Sequence, residues 1–466
     1  MISVILAAGK GTRMKSELPK VIHKVNGVPM LQKVSDVLEK TGVHKKIFIL
    51  GHMKEKVLSV MGDIDYIEQD EQLGTGHAVL IAKDEILKSK DNVLITYGDS
   101  PLIKAETLRK MEEKFLKDSL DCILLSCEVN DPFGYGRIIL NEKEQIIDII
   151  EEKEASDEIK EIKEINVGVY IFRYDSLVDA LDKIDNKNEK GEYYLPDAIK
   201  ILVNGGGKVE SYKIFDETEI LGVNSKAQLA IAGRILKNRK NEELMDEGVI
   251  LIDPETSYIE DNVEIGQDTV IYPNTVIQGK TKIGNNCIIY SNTRIIDSNI
   301  GNNITIEASL VEETVVEDYA TVGPFAHLRP KAYLKEEVHV GNFVEVKNTT
   351  LEKGVKVGHL TYLGDAEIGE DTKPEKISKN VPFFGTVQVT EGHVISLRCD
   401  RGSSYKAYMS VQNELVAAYN ELRDELAQEK WQKNYMELDQ EQQDAIREIY
   451  SQKISEAEPK KYGEKK

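Results

Sequence analysis

The sequence is organised around Leu6-Ala7-Ala8-Gly9-Lys10-Gly11-Thr12-Arg13-Met14, continued by Leu18-Pro19-Lys20. This stretch follows the apolar run Ile2–Leu6, which predicts a buried parallel strand. Its small residues leave backbone N–H groups open to a phosphate chain, and Lys10, Arg13 and Lys20 add positive charge. A Walker A loop and a dinucleotide-binding fingerprint both place their glycines differently, so neither pattern fits. An ordinary Gly-rich turn between a strand and a helix is the alternative.

Composition indicates a globular protein of several domains. A chain of 466 residues is too long for one core, so two or three domains are expected. The net charge of −21 argues against general nucleic-acid binding but is compatible with a local basic pocket for phosphates. The four cysteines lack metal-ligand spacing, which is typical of reduced thiols in the cytosol.

The N-terminus runs directly into the first strand, and no apolar run approaches the roughly 18 residues of a membrane span. We therefore expect no signal peptide, no membrane span and a cytoplasmic location.

The first half of the chain alternates helices and strands. Apolar spacing predicts a helix within 29–41 and strands at 46–50 and 92–96, the last ending at Tyr97-Gly98-Asp99. This alternation indicates a mostly parallel, Rossmann-like α/β sheet covered on both faces, with ligands bound beyond the carboxyl ends of its strands. Asp99 is a candidate Mg²⁺ ligand there, although an aspartate after a strand is often a turn residue or helix cap.

A helix is predicted over 225–247, with Ser225 as its N-cap and Gly248 as its stop. Beyond it an aliphatic residue recurs every six positions, which predicts a left-handed parallel β-helix. A run of antiparallel hairpins is the alternative. The repeat positions are Ile265, Ile271, Ile277, Ile283 and Ile289, and after short interruptions Ile300, Ile306, Val316, Val322 and Leu328.

The Gly-rich loop resembles the signature of sugar-1-phosphate nucleotidyltransferases. Together with Pro19-Lys20, it is similar to that of the bifunctional N-acetylglucosamine-1-phosphate uridyltransferase/glucosamine-1-phosphate acetyltransferase family (GlmU type). Further segments match that family in the same order: 68–77 (EQDEQLGTGH), 134–137 (GYGR), 164–168 (EINVG), 191–197 (GEYYLPD) and 222–224 (GVN).

The resemblance implies synthesis of UDP-N-acetylglucosamine from UTP and N-acetylglucosamine-1-phosphate, with release of pyrophosphate and no covalent nucleophile. Arg13 and Lys20 would be catalytic, and Asp99 and Asn224 would hold Mg²⁺. The implied substrate-binding residues are Leu6, Ala7, Ala8, Gly9, Lys20, Gln69, Gly74, Thr75, Tyr97, Gly98, Asp99, Gly136, Glu151, Asn166 and Asn224. The alternatives are a nucleotidyltransferase for another sugar-1-phosphate and a non-catalytic, envelope-associated scaffold.

Three segments of the repeats, 327–330, 341–347 and 358–366, resemble the acetyltransferase half of the same family. By that resemblance Arg329 and Lys347 bind the phosphate of glucosamine-1-phosphate, His359 is the catalytic base with Tyr362 beside it, and acetyl-CoA is a co-substrate. The β-helix would also mediate a homotrimer.

The family pattern stops after Thr372. Pro374 stands where the next unit should begin, and the coils that carry the acetyl-CoA pocket in the family do not follow. We therefore expect acetyl transfer to be lost or severely impaired. The tail predicts strands at 387–389 and 394–397, helices at 410–428 and 439–450, and a frayed end. Its part 392–466 resembles the C-terminus of ExbD/TolR-like transport proteins, without their membrane helix.

Four parts are predicted in total: a nucleotidyltransferase domain (1–224), a linker helix (225–248), a shortened β-helix (249–373) and an unrelated α+β/helical tail (374–466).

Overall fold

The computed structural model describes residues 1–187, 191–369, 375–391, 395–399, 405–452 and 454–457. The chain divides into two compact units, Met1–Leu236 and Lys237–Lys466. The finer division into four parts remains a prediction.

The first unit is an α/β domain. Its strands are β1 (Ile2–Leu6), β2 (Lys24–Val25), β3 (Val28–Pro29), β4 (Lys45–Leu50), β5 (Tyr66–Glu68), β6 (Val93–Tyr97), β7 (Cys122–Glu128), β8 (Gly136–Leu140), β9 (Ile146–Ile150), β10 (Glu164–Phe172) and β11 (Val209–Ile214). Its helices are α1 (Met30–Glu39), α2 (Lys54–Met61), α3 (Thr75–Leu80), α4 (Lys83–Ser89), α5 (Ala105–Lys117), α6 (Asp157–Lys160), α7 (Tyr174–Leu181) and α8 (Asp197–Asn204), and α9 (Lys226–Asp246) follows.

The main sheet has the order β11-β7-β10-β6-β1-β4-β5, with the β8–β9 hairpin attached to β10. All neighbouring pairs are parallel except those of β10, which runs antiparallel to β6 and β7. Strand β1 is buried along its whole length, because Val4 packs into the core on one face and Ile5 into the core on the other. The predicted, mostly parallel sheet is confirmed. Its register aligns Leu6 with Tyr97, so the loops after β1 and β6 emerge side by side.

The predicted helix over 225–247 is α9, and the Oγ of Ser225 accepts a hydrogen bond from the Gln228 N–H at 3.2 Å. The Gly-rich loop behaves differently from the ordinary turn considered as its alternative. A single 3-10 turn, Thr12–Met14, follows it in place of an α-helix.

The β-helix consists of three parallel sheets in which every third strand is a neighbour. The first contains Ile250–Leu251, Val270–Ile271, Ile288–Ile289, Thr305–Ile306, Thr321–Val322, His339–Val340 and Lys356–Val357. The second contains Tyr258–Ile259, Val276–Gln278, Arg294–Ile296, Leu310–Glu312, His327–Leu328, Glu345–Lys347 and Tyr362–Gly364. The third contains Glu264–Ile265, Lys282–Ile283, Asn299–Ile300, Val315–Val316, Tyr333–Leu334, Thr350–Leu351 and Ala366–Ile368.

The hexapeptide prediction is confirmed, because the repeat positions stack coil on coil inside one core. Ile271 pairs with Ile289, which pairs with Ile306 and then with Val322, and all four side chains are buried. Each coil contacts only its neighbours, so within the described residues the last coil, at Ile368, has one apolar side without a further coil of its own kind.

The tail continues from that end. Strand Ile395–Cys399 pairs antiparallel with Ala366–Ile368, and Ile454–Ala457 pairs with it in turn. Strands Glu375–Val381 and Gly385–Glu391 form a hairpin. Two helices follow in the chain, α10 (Tyr405–Trp431) and α11 (Gln440–Ile449). The predicted break at Pro374 lies outside the described residues. The frayed end predicted after Tyr450 is wrong in its first part, because Ile454–Ala457 forms a strand, and the part beyond 457 lies outside the described residues.

Helix α10 differs from its prediction in length and in its buried face. The apolar spacing of Val411, Leu415, Ala418, Leu422 and Leu426 predicts one buried face for this amphipathic helix. The helix extends beyond 410–428, and Leu422 is 40% exposed. Tyr419, Arg423 and Ala427 are buried in its place. Arg423 can be buried because its guanidinium donates to the Tyr450 carbonyl at 3.0 Å. The guanidinium thereby has a hydrogen-bond partner, while the aliphatic part of the Arg423 side chain is buried.

Among the described residues, no helix is both long and apolar enough to cross a membrane.

Candidate active site

A cavity of about 1100 Å³ opens in the first unit where β1 and β6 end. Its walls include most of the residues predicted to bind substrate: Leu6, Ala7, Ala8, Gly9, Arg13, Lys20, Gln69, Gly74, Thr75, Tyr97, Asp99, Glu151 and Asn166. The remaining predicted residues of this domain are Gly98, Gly136 and Asn224. Gly98 lies between Tyr97 and Asp99, and Asn224 hydrogen-bonds to Lys20. Gly136 borders Glu151.

The glycine at position 11 brings the Gly-rich loop against Lys20. Gly11 has φ 59°, and a Cβ there would lie 2.6 Å from the Cβ of Lys20. Only glycine accepts both the left-handed backbone and this close approach. The loop therefore crosses directly over the lysine, and Arg13 follows on the same cavity wall.

Three side chains converge on one point at the end of β6. The Lys20 ammonium donates to Asp99 Oδ2 and, at 3.0 Å, to Asn224 Oδ1. Lys20 and Asp99 are both largely buried, with side chains 14% and 15% exposed. The two oxygens thus share a single cation position. Carboxylate and amide oxygens are ligands that Mg²⁺ accepts readily, so the pair fits a magnesium ion that also binds phosphate oxygens.

A second group of residues lies where the segments 69–77 and 191–196 meet. Gly74, at φ 104°, has the Tyr193 carbonyl so close that a Cβ would lie 2.5 Å from its oxygen. The Leu195 N–H donates to Thr75 Oγ1 at 3.1 Å. Gln69 is 5% exposed, and its side-chain amide donates to the Gly74 carbonyl at 3.3 Å. The carboxamide of Gln69 is therefore held in one orientation at the cavity wall.

The opposite part of the cavity is formed by β8, β10 and the segment after β9. Asn166 donates from Nδ2 to the Tyr170 hydroxyl at 2.7 Å, which fixes its amide. Gly136 pairs with Asn166, and a Cβ on this glycine would lie 3.4 Å from Glu151 Oε1. Burial raises the pKa of the Tyr97 hydroxyl, and the carboxylates of Glu151 and Asp99 raise it further. Tyr97 thus stays a neutral hydrogen-bonding group at neutral pH.

The prediction omitted several residues that line the cavity. Gln72 donates to the Ala8 carbonyl at 2.6 Å and so connects the 68–77 segment to the Gly-rich loop. Tyr194 and Glu192 belong to the GEYYLPD segment, which the resemblance matched without giving roles to its residues. Phe133 and residues 152–154 carry no signal in a single sequence, because only the folded sheet brings them to the cavity.

The residues predicted for acetyl transfer lie on the last coils of the β-helix. Arg329 donates to Glu345 Oε1 at 2.7 Å, and Glu345 pairs with Tyr362 on the next coil. Lys347 pairs with Gly364 in the same sheet. His359 is exposed and lines a different cavity, of about 200 Å³. Leu415 and Ala418 of α10 contribute to that cavity. Arg329, Lys347 and Tyr362 are not among its lining residues. Glu345 is a partner of Arg329 that the sequence analysis did not identify.

An α/β domain with a Gly-rich loop over a lysine, followed by a hexapeptide β-helix, defines a class: nucleotide transferases with a hexapeptide-repeat second half. Residues 3–161 match the model of the MobA-like NTP transferase domain, and residues 262–297 match that of the bacterial transferase hexapeptide (six repeats).

Relatives that match about four-fifths of the chain identify the family within this class. The "Bifunctional protein GlmU" of Streptococcus agalactiae is 44% identical over 370 residues, which covers 79% of this chain and 81% of that protein. The protein of the same name from Enterococcus faecalis is 46% identical with the same coverage. That of Caldanaerobacter subterraneus is 48% identical over 80% of this chain and 81% of its own length. The chain belongs to the GlmU bifunctional protein family. It is a nucleotidyltransferase, a UDP-N-acetylglucosamine diphosphorylase.

A crystal structure of a Bacillus anthracis protein in complex with a sucrose aligns with a TM-score of 0.42 at 21% identity, over 50% of this chain and 94% of that one. These values are too low to carry an argument.

Proposed function

We propose that the large cavity binds UTP and N-acetylglucosamine-1-phosphate together and joins them to UDP-N-acetylglucosamine and pyrophosphate. The observation that carries this proposal is the convergence of Lys20, Asp99 and Asn224 beneath the Gly-rich loop. A cationic side chain, two oxygen ligands and a run of small residues are the groups that a triphosphate needs around it. The sugar phosphate oxygen attacks the α-phosphorus of UTP, and pyrophosphate leaves with the electron pair of the broken bond.

Each part of the cavity has its own task in this proposal. Backbone N–H groups of residues 8–11 and the side chains of Arg13 and Lys20 bind the phosphate oxygens and neutralise their charge. Gln69, Gly74 and Thr75 hold the uracil. The side-chain nitrogen of Gln69 faces the Gly74 carbonyl and His77 Nδ1, so its Oε1 is the atom that accepts from the uracil N–H. Glu151, Asn166 and Gly136 orient the sugar so that its phosphate oxygen points at the α-phosphorus.

Asp99 and Asn224 would hold Mg²⁺ through the two oxygens that accept from Lys20 in this structure. Because one position cannot take two cations, the Lys20 ammonium would then donate to phosphate oxygens instead. A bound Mg²⁺ neutralises the charge that develops on the phosphate oxygens. Because Lys20 reaches the same two oxygens, its ammonium lies within reach of any phosphate bound there.

Acetyl transfer is lost or severely impaired in this proposal. A histidine base acts only when the amine and the acetyl thioester are held in contact. His359 faces a cavity partly formed by α10, which offers apolar side chains and the carboxylates of Glu414 and Glu421. Acidic groups repel the phosphates of a coenzyme. The resemblance also implies a cytoplasmic homotrimer, which we adopt as part of the proposal.

One preparation of the full chain tests both halves of the proposal. With UTP, Mg²⁺ and N-acetylglucosamine-1-phosphate, we expect pyrophosphate release, and much less with glucose-1-phosphate. With acetyl-CoA and glucosamine-1-phosphate, we expect no thiol release above background. Asp99→Ala should lower uridyl transfer by several orders of magnitude, since the phosphate charge loses its counter-ion. The surface variant Asp118→Ala should behave like the wild type.

Three results would contradict these assignments. Wild-type turnover in Asp99→Ala would refute the assignment of Asp99 as a metal ligand. Preference for another sugar-1-phosphate would favour the alternative, a nucleotidyltransferase for that sugar. Thiol release comparable to uridyl transfer, and abolished by His359→Ala, would show that the second activity survives.

A further inference from the structure

One buried arginine lies behind the part of the cavity that we assign to the sugar. Arg137 is 1% exposed and has the largest side chain among the fully buried residues that the structure describes. It is in the middle of three strands, because β8 pairs it with Ile150 of β9 and Ile165 of β10. Its side chain is not part of the cavity lining, whereas its neighbour Gly136 borders Glu151.

The guanidinium of Arg137 contacts three separate segments of the chain. Its Nη1 donates to the Tyr135 carbonyl. Its Nη2 donates to Glu152 Oε2 at 2.7 Å and to the Lys160 carbonyl at 3.4 Å. Glu152 Oε2 also accepts from the Gly134 N–H at 3.3 Å, so the carboxylate connects back to the turn before β8.

Each of these segments supplies cavity lining. The turn before β8 contributes Phe133 and Gly134, the segment after β9 contributes residues 151–154, and Lys160 contributes at the end of α6. The spacing between these walls therefore depends on one planar group. A guanidinium suits this role because its N–H donors point in fixed directions, whereas a lysine ammonium is a single point charge on a flexible side chain.

The charge of Arg137 has a matching partner. The hydrogen bond from Arg137 is the first cause that lowers the pKa of Glu152, so this carboxylate stays ionised beside it. A buried charge that loses its partner is strongly unfavourable. The pair consequently resists rearrangement, and the walls that it joins keep their spacing.

We propose that Arg137 is a positioning residue for the sugar-1-phosphate: through Glu152 and two backbone carbonyls it sets the width of the sugar pocket without contacting the substrate. This inference rests on the proposed function of the cavity. It predicts an effect confined to one substrate, because Gln69, Gly74 and Thr75, assigned to the uracil, make none of these contacts.

The test measures KM for each substrate separately in the full chain. Arg137→Lys keeps the charge and loses the planar fork, and Glu152→Gln keeps an acceptor and loses the charge. The matched control is Lys213→Met, which breaks the ion pair of Lys213 with Glu164 at 2.6 Å on the same sheet. Neither residue of that pair lines the cavity.

For both test variants we expect the KM for N-acetylglucosamine-1-phosphate to rise between about tenfold and about a hundredfold, because the groups that bind the sugar are displaced. The KM for UTP should stay within about twofold, and the control should leave both constants unchanged.

A purely stabilising pair predicts another outcome. Equal changes in both KM values, or no change in variants whose thermal unfolding shows a folded chain, would overturn the proposal. If Arg137→Lys fails to fold, Arg137→Gln replaces it, because Glu152 itself lines the cavity and a KM change in Glu152→Gln alone would not separate positioning by Arg137 from direct contact with the sugar. A wild-type chain that consumes no UTP with any sugar-1-phosphate would instead refute the proposed function itself.

Discussion

Asp197, the first residue of α8, is a single carboxylate whose surroundings oppose its charge. Burial is the main cause that raises the pKa of Asp197 to about 6; the carboxylates of Glu154 and Asp148 contribute to this rise, and Lys200 acts in the opposite direction. The folded state therefore binds this proton more tightly than the unfolded state, whose aspartate has its ordinary pKa near 3.8. The contribution of Asp197 to the free energy of unfolding accordingly falls as the pH rises from about 4 to about 6.

Replacing this carboxylate should stabilise the protein at neutral pH. We expect Asp197→Asn to raise the free energy of unfolding above pH 6 by up to about 3 kcal/mol. The gain should shrink as the pH falls toward 4, because the wild-type group is then protonated in the folded state and partly protonated in the unfolded state. Urea unfolding at several pH values measures this change in the free energy of unfolding. The protein is kept dilute, because the chain is least soluble near its pI of about 5.0.

The control for this measurement is Asp157→Asn, which removes a fully exposed carboxylate of α6. It should show no such pH dependence. A gain for Asp197→Asn that is the same at pH 4 and pH 8 would contradict the proposed cause.

Among the secondary-structure elements, helix α10 lies beside the last coil of the β-helix. The last coil leaves Val357, Leu363 and the half-buried Ile368 at an end with no further coil. Leu415, Ala417 and Ala418 of α10 line a cavity of about 200 Å³ together with these side chains, and Leu415 is half-buried there. The helix thus covers apolar surface that solvent would otherwise contact, as a terminal cap does in repeat proteins.

A charge in this contact should uncover the end of the β-helix. We expect Leu415→Asp to increase binding of the dye ANS and proteolysis within the tail, since a carboxylate opposes burial against the apolar end of the β-helix. Leu422→Asp is the matched control, because Leu422 is exposed on the same helix. Uridyl transfer should persist in both variants, since its residues lie in the other compact unit. Equal dye binding by both variants would refute the capping role.

At the scale of the whole molecule, one corner of the β-helix carries an exposed apolar ridge. It consists of Phe325, Phe343 and Leu360, which are 59%, 54% and 65% exposed. The three follow one another on successive coils, and the two phenylalanine rings stack at 5.3 Å. All three have positive φ, which is unfavourable for large side chains. Burial against further copies of the chain would account for such residues at a corner where asparagine or glycine fits better.

We therefore expect the ridge to hold the proposed trimer together. The native mass by light scattering should be three times the chain mass of 52.5 kDa. Phe343→Asp should reduce it to that of a single chain, because a charge in each copy opposes burial of the ridge. The control is Tyr319→Asp, which is 60% exposed on a different corner. A trimer that withstands Phe343→Asp, or a wild-type monomer, would remove this role.

Features that depend on residues close together in the sequence were predicted correctly, whereas features that depend on residues far apart in the sequence were not. Strand β1, the repeat positions such as Ile271 and Ile289, and the cap at Ser225 were predictable, because each depends on spacing along a few residues. The buried face of α10 was predicted wrongly at Leu422. Apolar spacing cannot reveal that Arg423 finds the Tyr450 carbonyl 27 residues later in the chain.

The sequence by itself determined the two architectures, the basic loop and Asp99 at the strand ends, because periodicity and glycine placement act locally. Only the tertiary structure decided which side chains meet. Lys20 shares its ammonium between residues 79 and 204 positions away, and Arg137 joins three segments behind the cavity wall. It also decided that His359 lies beside α10. Such contacts depend on strand order and register, which emerge when the whole chain buries its apolar surface at once.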